Sequence, residues 1–99
     1  MWIYILHFTD NTHYTGITHD VIRRVKQHTS AAGITSRSYV GRKIRKWGMP
    51  VVAFVIEVNE ASKELYYKAH AKRFCQVCTI QTTVNENNTP EANAYTIPI

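Results

Sequence analysis

The N-terminal segment, residues 2–8, alternates as a strand would and is largely apolar on both of the resulting faces. One face carries Trp2, Tyr4, Leu6 and Phe8, and the other carries Ile3, Ile5 and His7. Successive side chains of a strand point to opposite faces, so both faces of this segment have to be covered. The pattern therefore predicts a strand inside a sheet, not one at its edge.

The residues that follow predict a hairpin and then a helix. The turn-forming cluster Thr9-Asp10-Asn11-Thr12 leads into a second strand at residues 13–17. Thr18 is a suitable N-cap for a helix over residues 19–30. The buried stripe of that helix is predicted to be Val21, Ile22 and Val25.

The second half predicts two more helices around one more strand. Residues 36–47 read as a basic helix, and residues 51–58, apolar on both faces, as a central strand. Asn59 would cap a helix over residues 60–74. Its core stripe is predicted to be Leu65, Tyr66 and Ala69.

The order of these elements predicts an α+β fold: a small three-stranded mixed or antiparallel sheet flanked by about three helices. Residues 1–84 are expected to form one domain, followed by a polar C-terminal tail over residues 85–99. No apolar run approaches the ~20 residues that span a bilayer, and no signal peptide is visible. We therefore expect a cytoplasmic protein with no membrane partner.

Charge and cysteine content bear on the partners of the protein. Twelve Lys and Arg against seven Asp and Glu give a formal charge of +5, which favours a polyanionic partner such as nucleic acid. Cys75 and Cys78 are separated by two residues, but His70 is not joined by a fourth ligand at a convincing spacing. The two cysteines are therefore interpreted as small, partly buried thiols at a helix end.

Four side chains that move protons or hold phosphates fall within the first 28 residues: Tyr4, Tyr14, Arg24 and His28. Arg24 and His28 are four residues apart and so project from the same side of the predicted helix. Hydrolysis of a phosphodiester needs a deprotonated water, charge neutralisation and help for the leaving alkoxide. Taken singly, each of these residues has a structural interpretation as a packing or surface side chain, and it is their joint occurrence that favours a phosphodiester-cleaving site.

The two tyrosines lie in the tripeptides Trp2-Ile3-Tyr4 and Tyr14-Thr15-Gly16, and an Arg-Arg pair and a His follow. This arrangement resembles the GIY-YIG nuclease family, in particular its small stand-alone members. The later segment Ser62-Lys63-Glu64-Leu65-Tyr66-Tyr67-Lys68 resembles the helix that carries the metal-binding Glu of the family. The chain departs from the family pattern in having Trp2 in place of Gly and Thr15 in place of Ile.

The resemblance implies a role for each matching residue. Tyr4 would be the general base, or a relay to one, and would need a lowered pKa. Tyr14 would bond the phosphate or the attacking water, and Arg24 would hold a phosphate oxygen. His28 would shuttle a proton, and Glu64 would be the one protein ligand of Mg²⁺, for which Mn²⁺ would substitute.

Further residues are expected to contact the substrate. Gly16 would allow a close approach of backbone and substrate, and Asn85 is the best candidate for a supporting Asn of the family. The basic residues expected to follow the phosphates are Arg23, Arg37, Arg42, Lys43 and Lys46.

The resulting hypothesis is an Mg²⁺-dependent endonuclease that hydrolyses phosphodiester bonds, with DNA as the favoured substrate. One alternative is a binding module on the same fold that grips nucleic acid or protein without cutting. Another is a nuclease that acts on RNA or branched DNA. Since no separate recognition domain is visible, specificity would come from a homodimer or a partner protein.

Overall fold

The computed structural model describes residues 1–78 of the protein, and these form one antiparallel sheet with helices on both faces. The strands are β1 (Trp2–His7), β2 (His13–Thr18) and β3 (Val51–Glu57). The helices are α1 (Val21–Thr29), α2 (Ala31–Thr35), α3 (Tyr39–Trp47), α4 (Lys63–Ala69) and α5 (Ala71–Phe74). The predicted α+β class and three-stranded sheet are confirmed.

The strand order in this sheet is β2-β1-β3, so β1 is the middle strand, as its two apolar faces predict. In the β1–β2 hairpin, Tyr4 lies opposite Gly16 and His7 lies opposite His13. The prediction that β3 is central is wrong within residues 1–78, where β3 pairs with β1 alone. Its apolar residues reflect burial of both faces, which a strand at the side of a doubly covered sheet also requires.

The two faces of the sheet are packed by different helices. Tyr4 and Leu6 of β1, and Phe8 directly after it, pack against α1 and α3. Ile3 and Ile5 pack instead with Phe54, and α4 and α5 cover that face. The alternation along β1 therefore sends neighbouring side chains into two separate cores.

Helix α1 begins two residues later than predicted. Asp20, not Thr18, is its N-cap, and the Asp20 side chain accepts a hydrogen bond of 3.1 Å from the backbone N–H of Arg23. An Asp here also places negative charge at the positive end of the helix. Ile22, predicted to be buried, is 58% exposed. The buried side of α1 instead carries Val21, Val25 and His28, at i, i+4 and i+7.

The predicted basic helix over residues 36–47 begins at Tyr39, and a short helix, α2, precedes it. Helix α2 contacts α1 directly, because a Cβ added at Gly33 would lie 2.1 Å from the carbonyl oxygen of Gln27. Arg45 of α3 donates to the carbonyl oxygens of Ile34 and Ser36, the latter at 2.8 Å. These contacts tie α1, α2 and α3 into one unit.

The predicted helix over residues 60–74 is divided at His70 into α4 and α5, and Asn59 does not cap it. Leu65 and Tyr66 were predicted to be buried, but Leu65 is 72% exposed and Tyr66 is 47% exposed. The buried side carries Tyr67 and Phe74 instead. Both faces of this helix are rich in apolar residues, so periodicity alone did not distinguish them.

The boundary predicted between residues 84 and 85, the tail over residues 85–99 and Asn85 lie outside the described residues. Within residues 1–78, every helix is too short or too polar to cross a bilayer.

Candidate active site

The register of the hairpin explains why residue 16 is a glycine. It lies opposite Tyr4, and the phenol ring of Tyr4 passes directly over it. A Cβ at this position would stand 2.5 Å from both Cζ and Oη of Tyr4, far inside van der Waals contact. The structure shows that Gly16 makes room for the side chain of Tyr4, and the expected close approach of the substrate at Gly16 stays a prediction.

The Tyr4 hydroxyl is hydrogen bonded to Nε2 of His28 at 2.8 Å. Both side chains are buried, with exposed fractions of 1% and 7%. The Tyr14 ring lies beside them, with its centroid 6.2 Å from that of Tyr4 and 5.6 Å from that of His28. Two adjacent strands and helix α1 therefore bring three of the predicted residues into contact.

Arg24 completes this group from the preceding turn of α1. It is half-buried, and its Nη1 donates to Oε1 of Gln27 at 3.2 Å. Its positive charge acts on both Tyr4 and His28. A guanidinium has five N–H donors in a planar fork, so Arg24 retains donors for an anionic ligand.

The pKa of Tyr4 is shifted in the direction opposite to the one expected for a general base. Burial raises the pKa of Tyr4 above its ordinary value of 10.0, and neighbouring Tyr14 raises it further, while Arg24 opposes the change. Burial, and then the charge of Arg24, lower the pKa of His28 to about 4. At neutral pH, Tyr4 is thus a phenol and His28 a neutral imidazole that can accept its proton.

Tyr39, the first residue of α3, also belongs to this region. Its ring is stacked on Tyr14, with centroids 6.0 Å apart and planes inclined by 23°. Both rings line a cleft of about 660 Å³ that also includes Lys68 and Ala71. Since Tyr39 and Lys68 belong to opposite layers, the cleft opens around the outer edge of β2. The sequence signal was an aromatic residue at the start of a basic helix.

Glu64 comes from α4, in the other layer of the structure, and is half-buried. Within residues 1–78 its carboxylate has no ion-pair partner, and the alternative pairing with Lys68 does not form. No other acidic, His or Cys side chain of the described residues joins it in a group of three or more. A lone carboxylate suits Mg²⁺, which keeps most of its waters, so the residue fits the predicted metal.

The basic residues divide into two groups. Arg23, Arg37, Arg42 and Lys46 are exposed. Lys43, in contrast, is half-buried, forms an ion pair with Asp10 and lies over the rings of three aromatic residues. Lys43 and Arg45 of α3 therefore use their positive charges in contacts within the protein that stabilise the fold.

Comparison with known proteins identifies the family. A family model of the GIY-YIG catalytic domain matches residues 1–76. The UPF0213 protein of Citrobacter koseri is 38% identical over 72 residues, which cover 73% of this chain and 65% of that protein. The UPF0213 protein YhbQ of Salmonella typhimurium is 32% identical over the same shares.

The aligned region therefore spans slightly less than two thirds of the length of these relatives. No solved structure matches the chain at a significant level. The family model covers the hairpin, the helix with Arg24 and His28, and the helix with Glu64. The chain therefore belongs to the GIY-YIG family, whose catalytic domain is of the nuclease type.

Proposed function

We propose that the protein is an Mg²⁺-dependent endonuclease that hydrolyses phosphodiester bonds in DNA. The observation that carries this proposal is the buried hydrogen bond between Tyr4 and His28, with Arg24 beside it. A neutral acceptor, a phenol and a cation are the groups needed to remove a proton next to a phosphate.

Tyr4 and His28 act as a proton relay in this mechanism. The attacking water gives a proton to Oη of Tyr4, and the Tyr4 proton passes to Nε2 of His28 over the existing 2.8 Å contact. The phenol therefore never has to exist as a separate phenolate, which its raised pKa disfavours. With a pKa of about 4, the imidazole of His28 is neutral at pH 7, and the negative charge of a phosphate held by Arg24 would raise that pKa and strengthen His28 as a base.

Arg24 holds the phosphate. Its remaining N–H donors would make a bidentate contact with it, which would offset the negative charge that develops on the equatorial oxygens. Tyr14 lines the cleft on one side and contacts the relay on the other. This position supports a role for Tyr14 in orienting the attacking water or a phosphate oxygen.

Glu64 would hold Mg²⁺, which would stabilise charge on the phosphate and the leaving oxygen. The course of α4 supports this role. Val58, which precedes α4, donates to the carbonyl of Met1, whereas Lys68 lines the cleft with residues 12–15. Helix α4 thus runs along β2 from its Thr18 end. At a rise of 1.5 Å per residue, Glu64 precedes Lys68 by about 6 Å along the helix axis, on the side of the Thr18 end of β2.

The path of the nucleic acid is suggested by a stripe on α3. Tyr39, Lys43 and Trp47 follow one another at intervals of four residues, so they lie on one side of the helix. Tyr39 and Trp47 are exposed, and Tyr39 meets Tyr14 at the cleft. Exposed aromatic rings stack on bases, and the exposed Arg42 and Lys46 on the same helix would contact the phosphates.

The proposal is tested with a plasmid-nicking assay in Mg²⁺, in Mn²⁺ and in excess chelator. Cleavage is expected with either ion and not with chelator. Arg24→Ala and Glu64→Ala should each slow cleavage at least about 100-fold, by analogy with the loss of a transition-state donor. The matched controls are Lys26→Ala on the exposed side of α1 and Glu60→Ala before α4, which should cut normally. Equal rates for the parent, Arg24→Ala and Glu64→Ala would show that the assignment is wrong.

A second candidate function, binding without cleavage, is favoured by the exposed aromatic residues of α3. Truncation of Trp47 to Ala should weaken DNA binding by about 5- to 100-fold, the range for loss of one stacked base. Leu65→Ala, which removes an exposed apolar side chain from α4, is the control. Tight binding with no cleavage in any divalent metal would favour this second function, and parallel assays on RNA and branched DNA would define the substrate.

A further inference from the structure

Four metal-binding side chains converge at the turn end of the hairpin, away from the Tyr4 group. His7 ends β1, His13 begins β2, and Cys75 and Cys78 follow α5. One ligand atom from each side chain lies within 4.8 Å of every other. His7, Cys75 and Cys78 are buried and His13 is half-buried.

The contacts among these atoms exceed what hydrogen bonding can account for. Nδ1 of His7 lies 3.3 Å from Nε2 of His13, 3.4 Å from Sγ of Cys75 and 3.7 Å from Sγ of Cys78. A ring nitrogen has either one proton or one lone pair to share, so it serves one partner and not three. A cation at the centre would bind all four atoms at once.

The separations also match the edges of a metal-centred tetrahedron. Bonds of about 2.0–2.1 Å from Zn²⁺ to nitrogen and about 2.3 Å to sulfur give edges of roughly 3.3 Å between nitrogens and 3.6 Å between nitrogen and sulfur. The observed distances are 3.3 Å for the nitrogen pair and 3.4, 3.7 and 3.4 Å for three nitrogen–sulfur pairs.

We propose that His7, His13, Cys75 and Cys78 form a structural site for one Zn²⁺ ion. Two thiolates and two imidazoles are the donors of tetrahedral zinc sites, and four protein ligands leave no open position for a substrate. Oxygen-seeking Mg²⁺ is a poor match for these donors. Two thiolates also neutralise the charge of the ion, which suits a buried position.

The site would fasten two distant parts of the chain to each other. His7 and His13 flank the hairpin turn, whereas the cysteines lie more than sixty residues later, beyond the helices that cover β2. Lys68, Ala71 and His13 all line the cleft beside Tyr14. A bound Zn²⁺ would thus hold one wall of the cleft against β2, while remaining on the sheet face opposite Tyr4.

Metal content and Co²⁺ spectroscopy of the purified full chain test the proposal without any DNA substrate. After dialysis against metal-free buffer, we expect one equivalent of Zn²⁺ per chain by mass spectrometry. Replacement by Co²⁺ should give a sulfur-to-metal charge-transfer band and intense visible bands, which report thiolate ligands and tetrahedral geometry. Cys75→Ser and His13→Asn should each weaken Zn²⁺ binding by more than about 100-fold, beyond the loss caused by removing an outer-shell partner.

His70→Asn is the matched control, because His70 lies between α4 and α5 and outside the cluster. It should retain a full equivalent of Zn²⁺. If a ligand variant fails to fold, the Co²⁺ spectrum of the parent protein still tests whether the site exists. No metal uptake, a Co²⁺ spectrum without the charge-transfer band, or equal alkylation of the cysteines with and without Zn²⁺ would each overturn the proposal. If the parent protein binds zinc and does not nick DNA, that result would count against the proposed nuclease function and not against the zinc site.

Discussion

Replacement of Gly16 by Ala tests the contact on which the Tyr4 group depends. The backbone at Gly16 is not in the left-handed region, so the added methyl acts through its volume. It would stand 2.5 Å from Cζ and Oη of Tyr4, in a core where the ring is 1% exposed and bonded to His28. Overpacking of this kind costs about 1–3 kcal/mol, and loss of the Tyr4–His28 hydrogen bond about 1 kcal/mol more.

The smaller entropy of the unfolded Ala variant returns about 0.4–1 kcal/mol, which leaves a net destabilisation of about 2 kcal/mol. This corresponds to a roughly 30-fold fall in the folded-to-unfolded ratio. With an m-value of about 1–3 kcal/mol/M, the urea midpoint should fall by about 1 M. Cleavage should also fall, because the Tyr4 ring has to leave its position.

A double-mutant cycle isolates the cause of the effect. Tyr4→Leu removes Cε1, Cζ and Oη, the three atoms that the new methyl would meet. In that background Gly16→Ala should be neutral or slightly stabilising, which gives a coupling free energy of about 2 kcal/mol. If Gly16→Ala costs as much with Leu at position 4 as with Tyr, the close approach is not the reason for the glycine.

Three other predictions concern titration and packing. His28 has a pKa of about 4 in the folded protein against 6.5 unfolded. The neutral form of His28 therefore contributes stability that is fully present above pH 6.5 and is lost as the pH falls through 4. Relative to His28→Gln, the free energy of unfolding measured by urea titration at each pH should fall by about 3 kcal/mol. Partial burial raises the pKa of Asp10, but bonds from Lys43 and Thr12 outweigh it and hold the value at about 2, so Lys43→Met should raise it in an NMR titration. Phe54 is fully buried against Tyr67 and Phe74, and Phe54→Ala should cost about 3–5 kcal/mol in urea unfolding. A loss under 1 kcal/mol would contradict that packing.

Local patterns in the sequence were sufficient to predict the hairpin and the grouping of its tyrosines with α1. Alternation predicted the face of Tyr4, and the spacing of four predicted the shared side of Arg24 and His28. The structure confirms that these side chains meet, while their catalytic roles stay predictions. The sign of the Tyr4 pKa change was missed because burial depends on the whole fold.

The remaining differences arise from information that is not local. The face of α4 was misassigned because Leu65 and Tyr66 are as apolar as the buried Tyr67. The ligand group around the two cysteines was missed because His7 and His13 become neighbours only through the hairpin register. The signal in the sequence is the symmetrical placement of His7 and His13 on either side of the turn cluster, because strand pairing then sets the two residues opposite each other.

The contact of Gly33 with α1 limits how this protein can change over evolutionary time. Helix α2 rests on the last carbonyls of α1, and Arg45 binds one carbonyl oxygen within α2 and one directly after it. An inserted or deleted residue between them would rotate the basic helix and carry Tyr39 away from Tyr14. New substrate preferences are therefore expected to arise by exchange of exposed side chains on α3, at constant chain length, and not by remodelling of the loop before it.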